Sequence, residues 1–184
     1  MAVSMVSTSV PRWPAQALTD IGFDGHAAHH VIVAAGPDAL AHIAYHAAGL
    51  PDRVSIVDVG DSADADASIA EVLAAARVGW RFVVVGTGAA VMRLRALIVA
   101  AGAIDGEIEV VHLGGADGFG AMDRDVFCSH CHTVTPTTSG IDETMACSGC
   151  GVELIVYHHF SRRHAAYLGF RPDSEELAGT GGAG

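Results

Sequence analysis

All four cysteines of this 184-residue chain fall in one stretch, CSHCHTVTPTTSGIDETMACSGC, between Cys128 and Cys150. They form two CxxC pairs with the spacing C-x2-C-x15-C-x2-C, that of a four-cysteine metal knuckle pair. Two cysteines three positions apart in a tight turn aim both sulfurs at one point, and two such turns complete a tetrahedron. The knuckle turn favours glycine directly after its second cysteine. Gly151 supplies it in the second pair, and His132 stands in its place in the first. The β-prone segment TVTPTTSGIDETMA between them reads as a hairpin. Three chemistries compete for these residues. Cys128, Cys131, Cys147 and Cys150 can hold a structural zinc ion, or a rubredoxin-like iron that carries an electron. The run C-x-x-C-H, through His132, is also the pattern of covalent haem attachment, which would leave Cys147 and Cys150 as a spare pair.

Upstream the pattern is different. VIVAAG (31–36), VSIVDVG (54–60), RFVVVGTG (81–88) and IEVVHLGG (108–115) are apolar runs of strand length. DALAHIAYHAAG (38–49), SIAEVLAAARVG (68–79) and AAVMRLRALIVAAG (89–102) are alanine-rich helical segments between them. Such alternation predicts βαβ units and a parallel sheet, and near-continuous apolar strands fit burial on both faces. The expected organisation is a loose arm over 1–27, a Rossmann-like α/β lobe over 28–120, a metal ribbon over 121–172 and a flexible tail over 173–184. The glycine-rich GGADGFGAMD (114–123) links lobe to ribbon, VELIVYHHF (152–160) reads as a strand, and SRRHAAYLGF is ambiguous.

The formal charge of -11 argues against nucleic-acid binding, which needs a basic footprint. All basic side chains other than histidine are arginine. Without lysine there is neither a Walker A phosphate loop nor a Schiff-base nucleophile. The N-terminal MAVSMVSTSVPRWPAQ has no basic region and no long apolar run, and no stretch reads as a membrane span. The reading is therefore a cytoplasmic protein in a reducing compartment, where clustered cysteines bind metal rather than pair.

A nucleotide-binding lobe carries its phosphate turn after the first strand. Here that turn is AAGPDAL, with Gly36 followed by Pro37, and the third strand ends in VGTGAAVM, with Gly86 and Gly88. Asp58 ends the second strand, where a ribose-binding acid often sits. The order of these segments resembles the nicotinamide-binding lobe of ferredoxin-reductase-type flavoproteins, with Gly36 matching one glycine of the first turn and Gly86 and Met92 parts of the third. Gly36, Gly86 and Gly88 are the candidate cofactor contacts; the alternative is that they are glycines of tight turns, with Asp58 a turn residue. The second glycine and the threonine of the first turn are missing, as are the cysteine of the third and a flavin barrel. The expectation is weak or absent binding of NAD(P)H or flavin.

Eleven histidines remain. His42 and His46 lie four apart on a helix and share a face, either as metal ligands or as polar residues satisfied within the fold. His29–His30 and His158–His159 are strand neighbours expected to point to opposite faces, which makes poor chelates. His130 and His132 flank a knuckle that four cysteines already fill. His158, Arg162 and Arg163 lie downstream and either offset the thiolate charge or form a solvated face.

Across its whole length, and most specifically over VFCSHCHTVT…ETMACSGCGVELIVYHHFSRRHAAYLGFRPD, the chain resembles the dimethylamine monooxygenase subunit DmmA family. That resemblance implies a subunit of a bacterial multicomponent oxygenase that demethylates dimethylamine. It also implies haem-containing and flavin/iron-sulfur reductase partners fed by NAD(P)H. On this reading the chain is an accessory subunit and no catalytic residue is identified in it. Alternatives are a rubredoxin-like electron-transfer subunit and a free-standing zinc-ribbon adaptor. The mixture of Tyr157, Phe160, Arg162, Arg163, Tyr167 and Phe170 is either a partner-binding face or the ribbon's own small core.

Overall fold

The computed structural model describes residues 9–10, 17–60, 65–113 and 122–172. The tail over 173–184 and most of the glycine-rich linker lie outside the described residues. The chain divides into two compact units, one spanning 12–116 and the other 1–11 with 117–184.

The first unit is α/β. Strands β1 (His29–Ala34), β2 (Val54–Asp58), β3 (Trp80–Gly86) and β4 (Ile108–His112) form a wholly parallel sheet in the order β2-β1-β3-β4. Helices α1 (Pro37–Tyr45), α2 (Ala65–Ala75) and α3 (Gly88–Ala100) make the crossovers. The central strands are apolar at successive positions because both faces are covered: Val31, Ile32, Val33 and Ala34 are each fully buried. The sheet register sorts these residues into two layers. Ile32, Ala34, Val83, Val85 and Val111 join one core with Ala39 and Ile43 of α1. The other layer holds Val31, Val33, Phe82, Val84, Val110 and His112, and α3 has Val91, Met92, Leu94 and Ile98 buried.

Residues 17–27 belong to this unit rather than to a loose arm. Leu18 and Ile21 enter the α1-side core and Phe23 packs against it. The segment makes one 3-10 turn (Leu18–Asp20), so its apolar residues follow no helical or strand period. It acts as a strap over a sheet face on which α1 is the helix in that core.

The second unit holds a five-stranded sheet in the order β6-β5-β9-β8-β7, built from β5 (Arg124–Cys128), β6 (Val134–Thr137), β7 (Thr144–Ala146), β8 (Glu153–Ser161) and β9 (Ala166–Phe170). Only β5 and β9 pair in parallel. The segment 161–170, ambiguous in sequence, is the turn 162–165 followed by β9. Val156 pairs with Gly169 but Phe160 pairs with Tyr167, so β8 carries extra residues in a bulge. The displaced N–H of Phe160 donates to Ser9 Oγ at 2.7 Å. Among the described residues no helix is long and apolar enough to cross a membrane.

Candidate metal centre

The first knuckle follows β5 and the second follows β7. In the first, Cys128 N–H donates to Thr133 O and His132 N–H to Cys128 O, both at 2.9 Å. In the second, Cys147 N–H donates to Val152 O and Gly151 N–H to Cys147 O, again at 2.9 Å. The two turns are therefore the same structure written twice. His132 (φ 65°) adopts the left-handed conformation that Gly151 (φ 71°) adopts in the other copy. Histidine tolerates that region better than most side chains, and the ring of His132 stacks on Phe127 with centroids 5.5 Å apart.

β6 and β7 are opposite edges of the sheet order, yet they meet at the cysteine end. The buried Thr135 of β6 accepts the N–H of Ser148 at 3.1 Å, and its hydroxyl lies 3.0 Å from Ser148 Oγ and 3.9 Å from Cys147 Sγ. A Cβ on Gly149 would collide with Thr133, so this approach requires glycine there. The sheet curls until its edges touch, and the knuckles come together.

The four sulfurs lie within 4.8 Å of one another, with Cys131–Cys147 at 3.5 Å and Cys128–Cys150 at 3.9 Å. A tetrahedron with metal–sulfur bonds of about 2.3 Å has sulfur–sulfur edges of about 3.8 Å. All four are free thiols; Cys128 and Cys147 are buried, and Cys131 and Cys150 are half-buried. The backbone already favours thiolates. The N–H groups of Cys150 and Gly149 pull the Cys147 thiol down to about 6. The Thr133 hydroxyl and N–H lower that of Cys131. The Val152 N–H favours the Cys150 thiolate, but burial and the three neighbouring sulfurs outweigh it and push this thiol up to about 12. A site that ionises one sulfur and resists ionising another is short of positive charge, which a divalent cation supplies. Among the described residues no other set of three or more His, Cys, Asp or Glu side chains converges in this way.

The other candidates have structural partners. His42 and His46 share a face with rings 4.6 Å apart, but His42 Nε2 accepts the Leu18 N–H at 3.3 Å and ties the strap to α1. His29 lies against Trp80 and Ser55, and His30 points to the opposite, strap-covered face. His158 and His159 do not separate as strand neighbours should. The bulge brings their rings within 4.8 Å of each other, and both lie against Tyr157. His130 and His132 are exposed beside the knuckle.

Arg162 and Arg163 are exposed in the β8–β9 turn, whereas Cys128 is level with Gly169 near the other end of β9. That places them away from the sulfurs. Tyr167 is fully buried under the guanidinium of Arg124, 5.0 Å from its ring centre, and is core rather than surface. Phe160 packs on Tyr167 and Tyr157 on Phe170, so of the two readings of these aromatics the module's own small core is the one their packing favours. Arg124, a fully buried arginine, has no signal in the sequence, because nothing in its neighbours distinguishes it from a surface residue.

Gly36 follows β1, Gly86 ends the adjacent strand β3 and Gly88 follows it, so all three lie at the carboxyl end of the parallel sheet. Gly36 caps α1 with φ 89°. A Cβ on Gly86 would lie 2.8 Å from Ala35 Cβ, so that glycine serves the close packing of two loops. Gly88 opens α3, and its N–H donates to Nε2 of the buried His112 at 3.1 Å. α1 begins with Pro37, which has no N–H, and carries Asp38 in its first turn. Asp58 accepts the N–H of Gly60 at 2.9 Å, as a turn residue does. His112 was not foreseen as part of this site; its contact joins residues 24 apart and leaves no local pattern.

Residues 125–170 match the family described as dimethylamine monooxygenase subunit DmmA-like, C-terminal domain. The heme-dependent oxidative N-demethylase delta subunit of Ectopseudomonas mendocina (strain ymp) is 35% identical over 182 residues, covering 91% of this chain and 90% of that one. The chain belongs to the DmmA-like family. No solved structure matches it. In this DmmA-like chain the matched segment begins at β5 and ends with β9, so it spans both knuckles and all five strands of their sheet.

Proposed function

We propose that the chain is an accessory subunit of a multicomponent oxygenase that removes N-methyl groups oxidatively from dimethylamine or a similar amine, in the cytoplasm. The observation that carries this is the relationship to a delta subunit over nine-tenths of both chains. Haem-containing and flavin/iron-sulfur reductase subunits are its partners on this reading. Cys128, Cys131, Cys147 and Cys150 hold a zinc ion in a zinc-ribbon module. Bound there, zinc supplies a redox-inert cross-link between the two knuckles. The chain's own contribution is to aim backbone N–H groups at the sulfurs and to bring two sheet edges together through Thr135 and Ser148. The module has few large buried side chains, and one of them is an arginine, so a metal clasp suits its size. Iron at the same sulfurs would instead make it an electron carrier.

The Rossmann-like lobe serves assembly rather than nucleotide chemistry. Two of the helix starts at its carboxyl edge, those of α1 and α3, are poor anion sites: Pro37 and Asp38 weaken the first, and His112 occupies the first N–H of the second. Calorimetric titration of the purified chain with NAD(P)H should show no binding in the micromolar range. Micromolar binding would overturn this reading of the lobe and make Gly36, Gly86 and Gly88 site residues. The subunit role is tested by co-expression with the haem-containing and reductase subunits proposed as its partners. The chain should co-purify with a haem protein, and its removal should abolish or reduce NAD(P)H-driven dimethylamine turnover. Full turnover by partners that never bind the chain would contradict it.

A further inference from the structure

The strap over residues 17–27 is fastened to the sheet by two histidines, and in both places the fastening requires a neutral ring. Leu18 N–H donates to His42 Nε2 on α1, and that nitrogen must present a lone pair to accept it. Five residues along, Phe23 closes edge-on over His30 of β1 at 5.2 Å. His30 is 4% exposed, and both of its ring nitrogens are buried without a hydrogen-bond partner among the described residues. A charged imidazolium in that position would be desolvated with nothing to receive its protons.

Asp24 pairs with Arg81 at 3.4 Å, with both side chains about one-third exposed, and Arg81 also reaches Glu107. The N–H groups of Asp20, Ile21 and Ala27 close turns within the strap itself. The Ala28 N–H then anchors to Gly79 at 2.8 Å, where the chain enters β1.

We propose that residues 17–27 are an acid-released strap, latched by neutral His42 and His30, which lifts from the sheet face when these rings take up protons. The charged neighbours do not prevent release. Around His30 are Asp24, already engaged by Arg81, Arg81 itself and, on the other face of β1, His29. Facing His42 are Asp20 and His46. For both rings burial is the largest influence and holds the proton affinity below that of a free imidazole, against the pull of Asp24 and Asp20. Release would withdraw Leu18 and Ile21 from the core they share with Ile32, Val83, Val85 and Val111, leaving α1 as the cover on that face.

Hydrogen exchange on the full chain at pH 7.5 and 5.5, corrected for intrinsic rates, tests this. Protection at residues 18–24 should fall by about tenfold or more at the lower pH, while β1 and β3 stay protected. In the His30→Leu/His42→Gln double variant, whose side chains do not titrate, the strap should keep the same protection at both pH values. Should that variant not fold, histidine NMR titration of the unaltered chain gives the answer. Both rings should titrate below the free-imidazole range, together with the shifts of Leu18 and Phe23. Strap protection independent of pH, or a strap still docked when His30 and His42 are charged, would overturn the proposal.

Discussion

At the scale of single residues the two knuckles are a built-in comparison, since His132 and Gly151 occupy the same turn position. Gly151 has open space around the place a Cβ would take, so its replacement by alanine meets no neighbour and costs only the left-handed backbone. Gly151→Ala should lower stability by about 1–2 kcal/mol without removing metal, as measured by denaturant midpoint and metal content. Gly149→Ala is a different experiment. Its backbone is not left-handed, but its Cβ would displace Thr133, whose hydroxyl and N–H support Cys131. It should weaken metal retention against a chelator, while Gly151→Ala should not. Equal retention by the two variants would separate Thr133 from the metal site. The cysteines were legible because ligand spacing is a local property of a turn. Thr135, Thr133 and Ser148 were not, because their meeting depends on the curl of a sheet whose edges lie far apart in its strand order.

At the scale of elements, the buried strands and their helices were readable from apolar runs, because burial on both faces leaves a continuous signature in sequence. The helix limits moved by a few residues, and α1 ended at Tyr45 rather than 49, with a 3-10 turn at Ala47–Gly49. Two elements escaped for physical reasons. The strap has no period because a 3-10 turn and bends carry its apolar residues inward. β9 was obscured because its five residues, AYLGF, contain a glycine and show no alternation of apolar and polar side chains. α3 shows how an element's end can be fixed from outside. His112→Leu should cost about 1–3 kcal/mol by leaving the Gly88 N–H buried without its acceptor, read from thermal or urea unfolding. α2 leans on fewer contacts, and within its described side chains Ile69 is the buried one. Ile69→Ala should cost about 2–5 kcal/mol and loosen α2 ahead of the sheet, seen as early exchange confined to residues 65–75.

At the scale of the molecule, each unit has its own probe. Trp80 begins β3 of the α/β unit, so in a Trp13→Phe background fluorescence follows that unit alone. His30 and His42 bind protons more weakly folded than unfolded. The unfolded chain therefore takes up protons first as pH falls below about 6.5, and unfolding is favoured. Their contribution to stability is complete above that pH and declines toward the folded-state values. The urea midpoint reported by tryptophan should be lower at pH 5.5 than at 7.5. A midpoint unchanged across that interval would mean that neither ring is held neutral by the fold.

The four-cysteine site is where the family match and the geometry coincide, since residues 125–170 contain all four sulfurs. The whole chain, expressed with zinc and iron both available, should be analysed for bound metal by mass spectrometry and visible absorption, beside its Cys147→Ser variant. The account predicts one equivalent of zinc per chain and no visible band. It also predicts that Cys147→Ser loses the metal and the exchange protection of residues 124–170 while the fluorescence of the sheet unit is retained. Iron with a thiolate charge-transfer band would make the module an electron carrier. A variant that loses its metal yet keeps the module fully protected would contradict the claim that the metal holds this part of the chain together.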